Sequence, residues 1–462
     1  MNNHSLFFIY SEHVAFATHK RALSLWTGTF VMLLIISLLM IICFIGLLMS
    51  KKLSALTALI LIPTIFALLS GHGADMGAMV IKGLRTVAPT GVMLIFAMLY
   101  FMSVTDAGMF DPIIKRIVSA VDGDPVKIFV GTALLGFIVA LDGDGATVYM
   151  IVLSAFMPIY ERIGLSKLSV AALLLQCTGL GNMFPWGGPT ARAAAAVQAD
   201  VSTLFVPLLI PLLACVAWTF ILAVMLGRSE RKRLGFQQHI PVDRAALQFE
   251  EKGCVAWRFW FNWALTIALM TFLVLDVMPM AYLFMLATAI MFVVNYPQLS
   301  QQQEQIGRHA PAILAVAGLI FAAAVFTGIF AETGMANALA QAIVQTIPAA
   351  LGPYLAVITA LISIPVTWMV SNDVFYFGML PVLVQAAGHY GIEPIEMARA
   401  ALVGQPVHIL SPLVASTYLL VGMLKLDYAQ TQRFTLRWSF ITSIVLLVVA
   451  LITGCFPFYR SL

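Results

Sequence analysis

Two aspartates, Asp142 and Asp144, alternate with Gly143 and Gly145 in the stretch LDGDGATVYM (141–150), and the chain is apolar on both sides of it. Three more short stretches interrupt apolar sequence in the same manner: NMFPWGGPT at 182–190, SND at 371–373 and GQPVHILSP at 404–412. Carboxylates at such depth suit a hard cation or an exchanging proton, since ionisable groups are costly in hydrocarbon and are functional candidates there by default. Glycine and proline stop helices, and a stopped helix offers free N–H groups to an anion at one end and free carbonyls to a cation at the other. Together these features describe a closed site for a charged solute. A calcium loop fits poorly: D-x-D-G begins an EF-hand, but the twelfth position from Asp142 is Leu153 instead of glutamate. An ordinary surface turn is the plainer alternative for Asp-Gly pairs, and the placement of Lys127 and Arg162 on one side argues against it. VDGDP at 121–125, among charged residues, reads as such a solvated turn and is given no role.

Other ionisable and aromatic side chains lie close to these interruptions. Arg192 follows GGPT by two residues and has no basic counterpart at Ala415, and its planar fork suits a carboxylate. His408 could carry a proton or hydrogen-bond loose backbone. Asp106 and Glu332 each stand near a Gly-Met pair at the end of an apolar run, where capping or interfacial roles are the plainer reading. Trp186 is either an interfacial aromatic or a wall of the site.

The elements that must position these groups are membrane helices. Of the 462 residues 61% are hydrophobic and 10% charged, against about 25% charged in soluble domains. Apolar runs long enough to cross a hydrocarbon core recur along the whole chain. The net charge of +4 comes from short basic clusters between those runs, which argues against a nucleic-acid partner and reports topology instead. The five cysteines show neither pairing nor metal-ligand spacing, and those within apolar runs, such as Cys43, Cys177 and Cys215, read as small core residues. His19, Lys20 and Arg21 precede an apolar run too long for a signal peptide, so this is expected to be an uncleaved first span.

Placing Lys51, Lys52, Lys115, Arg116, Arg162, Lys167, the RSERKR run at 228–233, Lys425, Arg433 and Arg437 on the cytoplasmic side gives a single topology. Ten helices then cross fully, near 28–49, 53–70, 88–106, 167–200, 203–227, 259–278, 281–296, 311–330, 397–424 and 436–457. Two remaining stretches, 126–160 and 353–390, carry DGDGAT and SND at their middles, and must enter and leave by the same face as re-entrant hairpins. Residues 1–28 form an N-terminal extension and 228–258 a cytoplasmic linker. The linker separates two halves, 29–227 and 259–462, each with a hairpin and a broken helix (167–200 and 397–424). An internal repeat crosses this linker: TDAGMF (105–110) matches AETGMA (331–336) at an offset of 226, and GNMFPWGGPT aligns with GQPVHILSPL after a three-residue slip. Five full crossings per half is an odd number, so the second half is expected upside down, as in inverted-repeat carriers.

At these motifs the chain resembles a family. LDGDGATVYM, NMFPWGGPTARAA, SNDVFYFGMLPVL and GQPVHILSPLVASTYLLVG are similar to the bacterial citrate transporters (CitMHS) of the ion transporter superfamily, which carry citrate complexed with a divalent metal in symport with protons. The similarity runs from about Leu33 to the last span. It implies an all-α polytopic membrane protein of the elevator type, a homodimer in the bacterial inner membrane, with no tightly bound cofactor and with magnesium or calcium co-transported.

By motif, Asp142, Gly143, Asp144, Gly145 and Thr147 would form the first tip, and Ser371, Asn372 and Asp373 the second. Asn182, Gly187, Gly188, Pro189 and Thr190 would line the first break, and Gln405, His408, Ser411 and Pro412 the second. The sodium-coupled dicarboxylate branch of the superfamily has Ser-Asn-Thr at both tips, whereas here the first has two aspartates and the second ends in Asp373. Extra acid suits a metal ion or protons better than a bare polyanion. The resemblance therefore implies that Asp142, Asp144 and Asp373 face the metal or exchange protons while Arg192 and helix-end N–H groups hold carboxylates. A sodium/proton antiporter of the same superfamily is the alternative, and it needs no anion site. Two-aspartate proteases need their acids on separate helices with a Gly-x-Gly-Asp turn, which the chain lacks.

Overall fold

The computed structural model describes residues 31–460 apart from 51, 122, 144, 236–255, 276, 347 and 349. The N-terminal extension and most of the linker expected from sequence lie outside the described residues, as does Asp144. All regular structure among the described residues is helical. The first half runs α1 (Val31–Met49), α2 (Ala55–Leu69), α3 (Met76–Asp106), α4 (Asp111–Ala120), α5 (Pro125–Val139), α6 (Gly145–Ile163), α7 (Lys167–Gly181), α8 (Gly188–Ala196), α9 (Val201–Phe205) and α10 (Leu209–Arg233). The second runs α11 (Ala256–Val274), α12 (Met280–Asn295), α13 (Leu299–Glu332), α14 (Met335–Thr346), α15 (Leu355–Met369), a π-helical turn at Val374–Met379, α16 (Leu380–Gly388), α17 (Pro394–Ala401), α18 (Gln405–His408), α19 (Ala415–Leu424) and α20 (Tyr428–Ile452). Each series thus has two spans, one very long helix, a short helix, a helical hairpin, an interrupted helix and a closing span.

The long helices α3 and α13, of 31 and 34 residues, pack against each other antiparallel. At a rise of 1.5 Å per residue both exceed about 45 Å, well beyond the roughly 30 Å hydrocarbon core. In the sequence only their apolar parts stood out, as 88–106 and 311–330, because the opening turns carry Lys82, Arg85, Arg308 and His309. Those turns stay helical because they are tied across the pair: Lys82 meets Glu332 at 2.7 Å and Arg308 meets Asp106 at 3.0 Å. Residues 82 and 308, like 106 and 332, stand 226 apart, so one bond recurs at the offset of the sequence repeat. Around the pair, α2 packs on α13 and α12 packs on α3. Gly83 and Gly328 permit the close approach: a Cβ at Gly83 would fall on the Ala324 carbonyl oxygen, and one at Gly328 on the Met79 carbonyl.

The hairpins and interrupted helices form the other part of the molecule. α5 lies against α7 and α10, and α15 against α17. Their polar contacts are buried and inter-helical: Gln176 of α7 donates to Ser439 and accepts from Thr442 of α20, and Trp218 of α10 also donates to Thr442. Large apolar side chains such as Ile42, Leu69, Trp260 and Ile452 lie exposed on the outside, the arrangement of a chain solvated by lipid.

Several expected boundaries move. α10 continues through the basic run to Arg233, so 228–233 is helix and not linker. It is held there because buried Glu230 accepts the Ser166 backbone N–H at the start of α7 and Arg231 pairs with Asp124. Asp124 also caps α5, which is why VDGDP is a turn and no site. The last span begins at Tyr428, eight residues earlier than expected, where Asp427 caps it. Nine segments among the described residues are long and apolar enough to cross a membrane, and three of these are hairpin arms: Pro125–Asp142, Gly145–Ile163 and Gly352–Met369. Three of the ten expected crossings, α2, α7 and α12, have only 15 or 16 residues, so length alone does not separate spans from hairpin arms here.

Candidate functional site

The first tip is a tight backbone turn. α5 passes into a 3-10 turn at Ala140–Asp142, Gly143 adopts φ +79° and α6 begins at Gly145. The Trp186 indole N–H donates to the Leu141 carbonyl at 2.8 Å. Asp142 is buried, and Thr147, half-buried, stands in the first turn of α6. Gly145 leaves no room for a side chain, because a Cβ there would come within 2.7 Å of the Thr178 methyl and 3.2 Å of the Ser416 hydroxyl. The tip therefore touches its own half at Thr178 and Trp186, and the opposite half at Ser416.

The first break separates α7 from α8. The Gly187 N–H donates to the Phe184 carbonyl, and the Thr190 hydroxyl turns back to donate to the Met183 carbonyl at 2.8 Å. Gly187 is required sterically, since its Cβ would fall on the Asn182 carbonyl oxygen. Gly188 and Pro189 open α8, where proline's missing N–H costs nothing. Trp186 stacks with Phe184 and with Phe101 of α3, ring centroids 5.4 and 4.7 Å away, and meets the edge of Phe284 of α12 at 5.4 Å. Buried among these rings, Trp186 joins the first tip to the long-helix part of the fold.

The second tip is held by side chains. α15 ends at Met369, the Ser371 hydroxyl accepts the Val374 N–H, and the Asn372 side chain accepts from Gln405 at 3.0 Å. Gln405 also donates to the Tyr376 hydroxyl at 2.7 Å. Asp373 accepts from the Nε of Arg192, on α8 of the other half, at 2.7 Å. Both members of this pair are mostly covered, at 14% and 18% side-chain exposure.

The second break runs from α18 to α19. The Nδ1–H of His408 donates to the Thr367 carbonyl at the end of α15, 2.5 Å away, so the ring ties the break to the hairpin arm. The Thr367 hydroxyl in turn donates to the Gly404 carbonyl, and a Cβ at Gly404 would fall on the Ser363 carbonyl. Ser411 is fully buried and accepts the Leu413 N–H, whereas Pro412 is exposed. The Leu410 carbonyl, freed by the break, accepts from Tyr428 and Gln432 of α20.

The structure thus brings each tip against the break of its own half and against an element of the other. Arg192 and Asp373, separated by 181 residues, are in direct contact. Asp106 and Glu332 belong to the α3–α13 ion pairs and not to helix caps. Thr178, Ser416, Tyr376 and Thr367 were not singled out in the sequence, since lone hydroxyls on apolar helices carry no pattern. Thr178 alone had a positional signal, one turn before the Gly-Asn of the break. Its buried hydroxyl has no hydrogen-bond partner among the described residues. No three acidic, histidine or cysteine side chains among the described residues are grouped to hold a metal. A cation entering here would complete its shell from hydroxyls, carbonyls or its own counter-anion.

Comparisons with known proteins bear on what that solute is. The citrate transporter family profile matches residues 14–404. A relative from Bacillus subtilis (strain 168) named as a citrate transporter is 46% identical over 437 residues, covering 92% of this chain and 100% of the relative. Another from the same organism, named as a Mg(2+)/citrate complex secondary transporter, is 42% identical over 427 residues, covering 92% and 99%. Among solved structures, the Alcanivorax borkumensis YdaH transporter aligns with a TM-score of 0.62 at 14% identity, over 84% of this chain and 90% of that one. The Neisseria gonorrhoeae MtrF structure aligns at 0.56 and 14%, over 84% and 85%, and both of these likenesses concern the fold alone.

Proposed function

The chain belongs to the citrate transporter family, and from that premise we propose that it carries citrate as a complex with a divalent metal ion, driven by protons, across the bacterial inner membrane. It is a multi-pass membrane transporter and not an enzyme, as its family and relatives are. The observation that carries the finer reading is the meeting of four irregular backbone stretches in one place, two from each half. Irregular backbone persists at membrane depth only where protein or a watery cavity satisfies it, and here the partners come from within the stretches, from one another and from α15 and α20. The likeness to a relative named for a magnesium–citrate complex supports the cargo.

In this reading the halves form an inverted repeat, the stretches 126–160 and 353–390 are re-entrant hairpins, and the tips close over the solute. Arg192 and the opening turn of α8, with Gly187, Gly188, Pro189 and Thr190, receive carboxylates. Asp142, Asp144 and Asp373 take the metal or exchange protons, while Gly143, Gly145, Thr147, Asn182, Ser371, Asn372, Gln405 and Ser411 shape the walls. His408, tied to the Thr367 carbonyl, keeps the second break in register and is the weaker candidate for a proton. The hairpins and interrupted helices move as a body against the α3–α13 pair, a dimeric elevator in which Trp186 bridges the two parts.

Uptake of labelled citrate into proteoliposomes, with one divalent metal at a time and an imposed proton gradient, tests this. The expected result is uptake that needs a metal and collapses with the gradient. Uptake indifferent to metal removes the complex as cargo, indifference to the gradient removes proton coupling, and absence of citrate uptake under every condition overturns the assignment.

A further inference from the structure

Arg192 and Asp373 have so far been given separate duties, one for carboxylates and one for the metal. Their geometry makes them a unit. A single bond joins them, from Nε to Oδ1, at 2.7 Å. The two terminal nitrogens of Arg192 donate to no group among the described residues, and the second oxygen of Asp373 accepts from none. The guanidinium lies over the opening of α8 in the space left by Gly188, where a Cβ would stand 2.6 Å from Nη1. The pair therefore leaves two terminal NH2 groups and one carboxylate oxygen for a solute, with no net charge. That is the mirror image of a carboxylate bound to a cation.

We infer that the Arg192–Asp373 pair is a single receptor for the metal–carboxylate contact of the cargo, and that Asp373 is what makes the metal obligatory. This rests on the metal–citrate reading above. A bare citrate trianion would bring a carboxylate to Arg192 and, with it, negative charge against Asp373, which Arg192 contacts directly. A divalent ion cancels two of those charges and gives Asp373 a hard cation to ligate. The metal alone fares no better, because it competes with Arg192 for the same carboxylate while leaving the guanidinium's donors unused. The specificity comes from repulsion of the bare anion as much as from attraction of the complex.

Calorimetric titration of the purified full-length protein with citrate, with and without magnesium chloride, and with magnesium chloride alone, tests the inference. In the wild type magnesium is expected to tighten citrate by at least about tenfold, or roughly 1.4 kcal/mol. In Asp373→Asn, whose amide oxygen still accepts from Arg192, that ratio is expected to fall within about threefold because free citrate now binds. Arg192→Gln with Asp373→Asn gives an uncharged pair, expected to bind citrate weakly and with the same indifference to magnesium. Should the single variant fail to fold, the double variant reads the same ratio. A wild type that ignores magnesium overturns the cargo reading itself. A wild type that needs magnesium, with variants that need it equally or with Asp373→Asn losing citrate in every form, overturns the inference alone.

Discussion

At the turn Asp142–Gly143 the closest described contacts are one indole N–H on a carbonyl and glycine-tight packing, whereas at Ser371–Asp373 three successive side chains reach partners of their own. At the first, an indole N–H reaches a carbonyl, one glycine takes a left-handed φ and another gives way to Thr178 and Ser416. At the second, three consecutive polar residues each find a partner: Ser371 the Val374 N–H, Asn372 the Gln405 amide and Asp373 the Arg192 guanidinium. Backbone restraint sets a shape that does not answer to the solute. A charge pair does answer, because whatever enters must compete with or complement it. On the proposed reading the second tip selects by charge, and it stands at the same place in its series of helices as the first tip does in the other.

Substitutions can break or sharpen this contrast. The largest effect is expected at the charged tip: Arg192→Ala should lower citrate uptake by at least about a hundredfold, because truncation leaves Asp373 mostly covered and unpaired. Retention of more than a tenth of wild-type uptake in reconstituted vesicles would mean that the pair is structural decoration. Next comes Gly187→Ala at the first break, whose new methyl meets the Asn182 carbonyl and must displace backbone on one side. A loss of about 2 kcal/mol in stability is expected, read as a lower thermal midpoint together with reduced uptake.

Trp186→Phe keeps an aromatic ring in place and removes the N–H, leaving the Leu141 carbonyl without that partner. About a fivefold to tenfold fall in uptake is expected, with the metal dependence unchanged, since the Arg192–Asp373 pair is not touched. A change in metal dependence here would erase the distinction between the tips. Gly143→Ala strains a backbone at φ +79° by roughly 1 kcal/mol. The thermal midpoint should drop by a few degrees while the citrate affinity of the solubilised protein stays within twofold. The smallest effect belongs to Glu332→Gln at the end of the long pair, where Lys82 is largely solvent-exposed. Stability should change by no more than about 0.5 kcal/mol by thermal unfolding, the usual worth of an exposed ion pair.

Much of the fold was legible before any coordinates. Apolar runs mark spans, and glycine and proline inside them mark interruptions, because hydrophobic burial and helix breaking are properties of a residue and its neighbours. The offset of 226 was visible at Asp106 and Glu332, yet their purpose was not. Capping or interfacial roles were the reading for acids beside glycine at helix ends, and the capping part failed because the partners of Asp106 and Glu332, Arg308 and Lys82, each lie on a different helix. The extra turns of α3 and α13 were missed for the same reason. Polar opening turns look like loop until something across the interface is seen to hold them. Ser416 gave no sign at all and Thr178 only its place one turn before the break, since a hydroxyl on an apolar helix is as often a mere packing residue.

By itself, then, the sequence determined a helical membrane protein with four polar interruptions in two related halves, because these follow from local hydropathy and backbone chemistry. Only the tertiary structure decided that Arg192 meets Asp373 across 181 residues, that Ser416 closes on the opposite tip and that His408 is tied to Thr367. Such pairings depend on how each helix is rotated and displaced against its neighbours, and those are settled by packing over the whole molecule and not by any short stretch of chain.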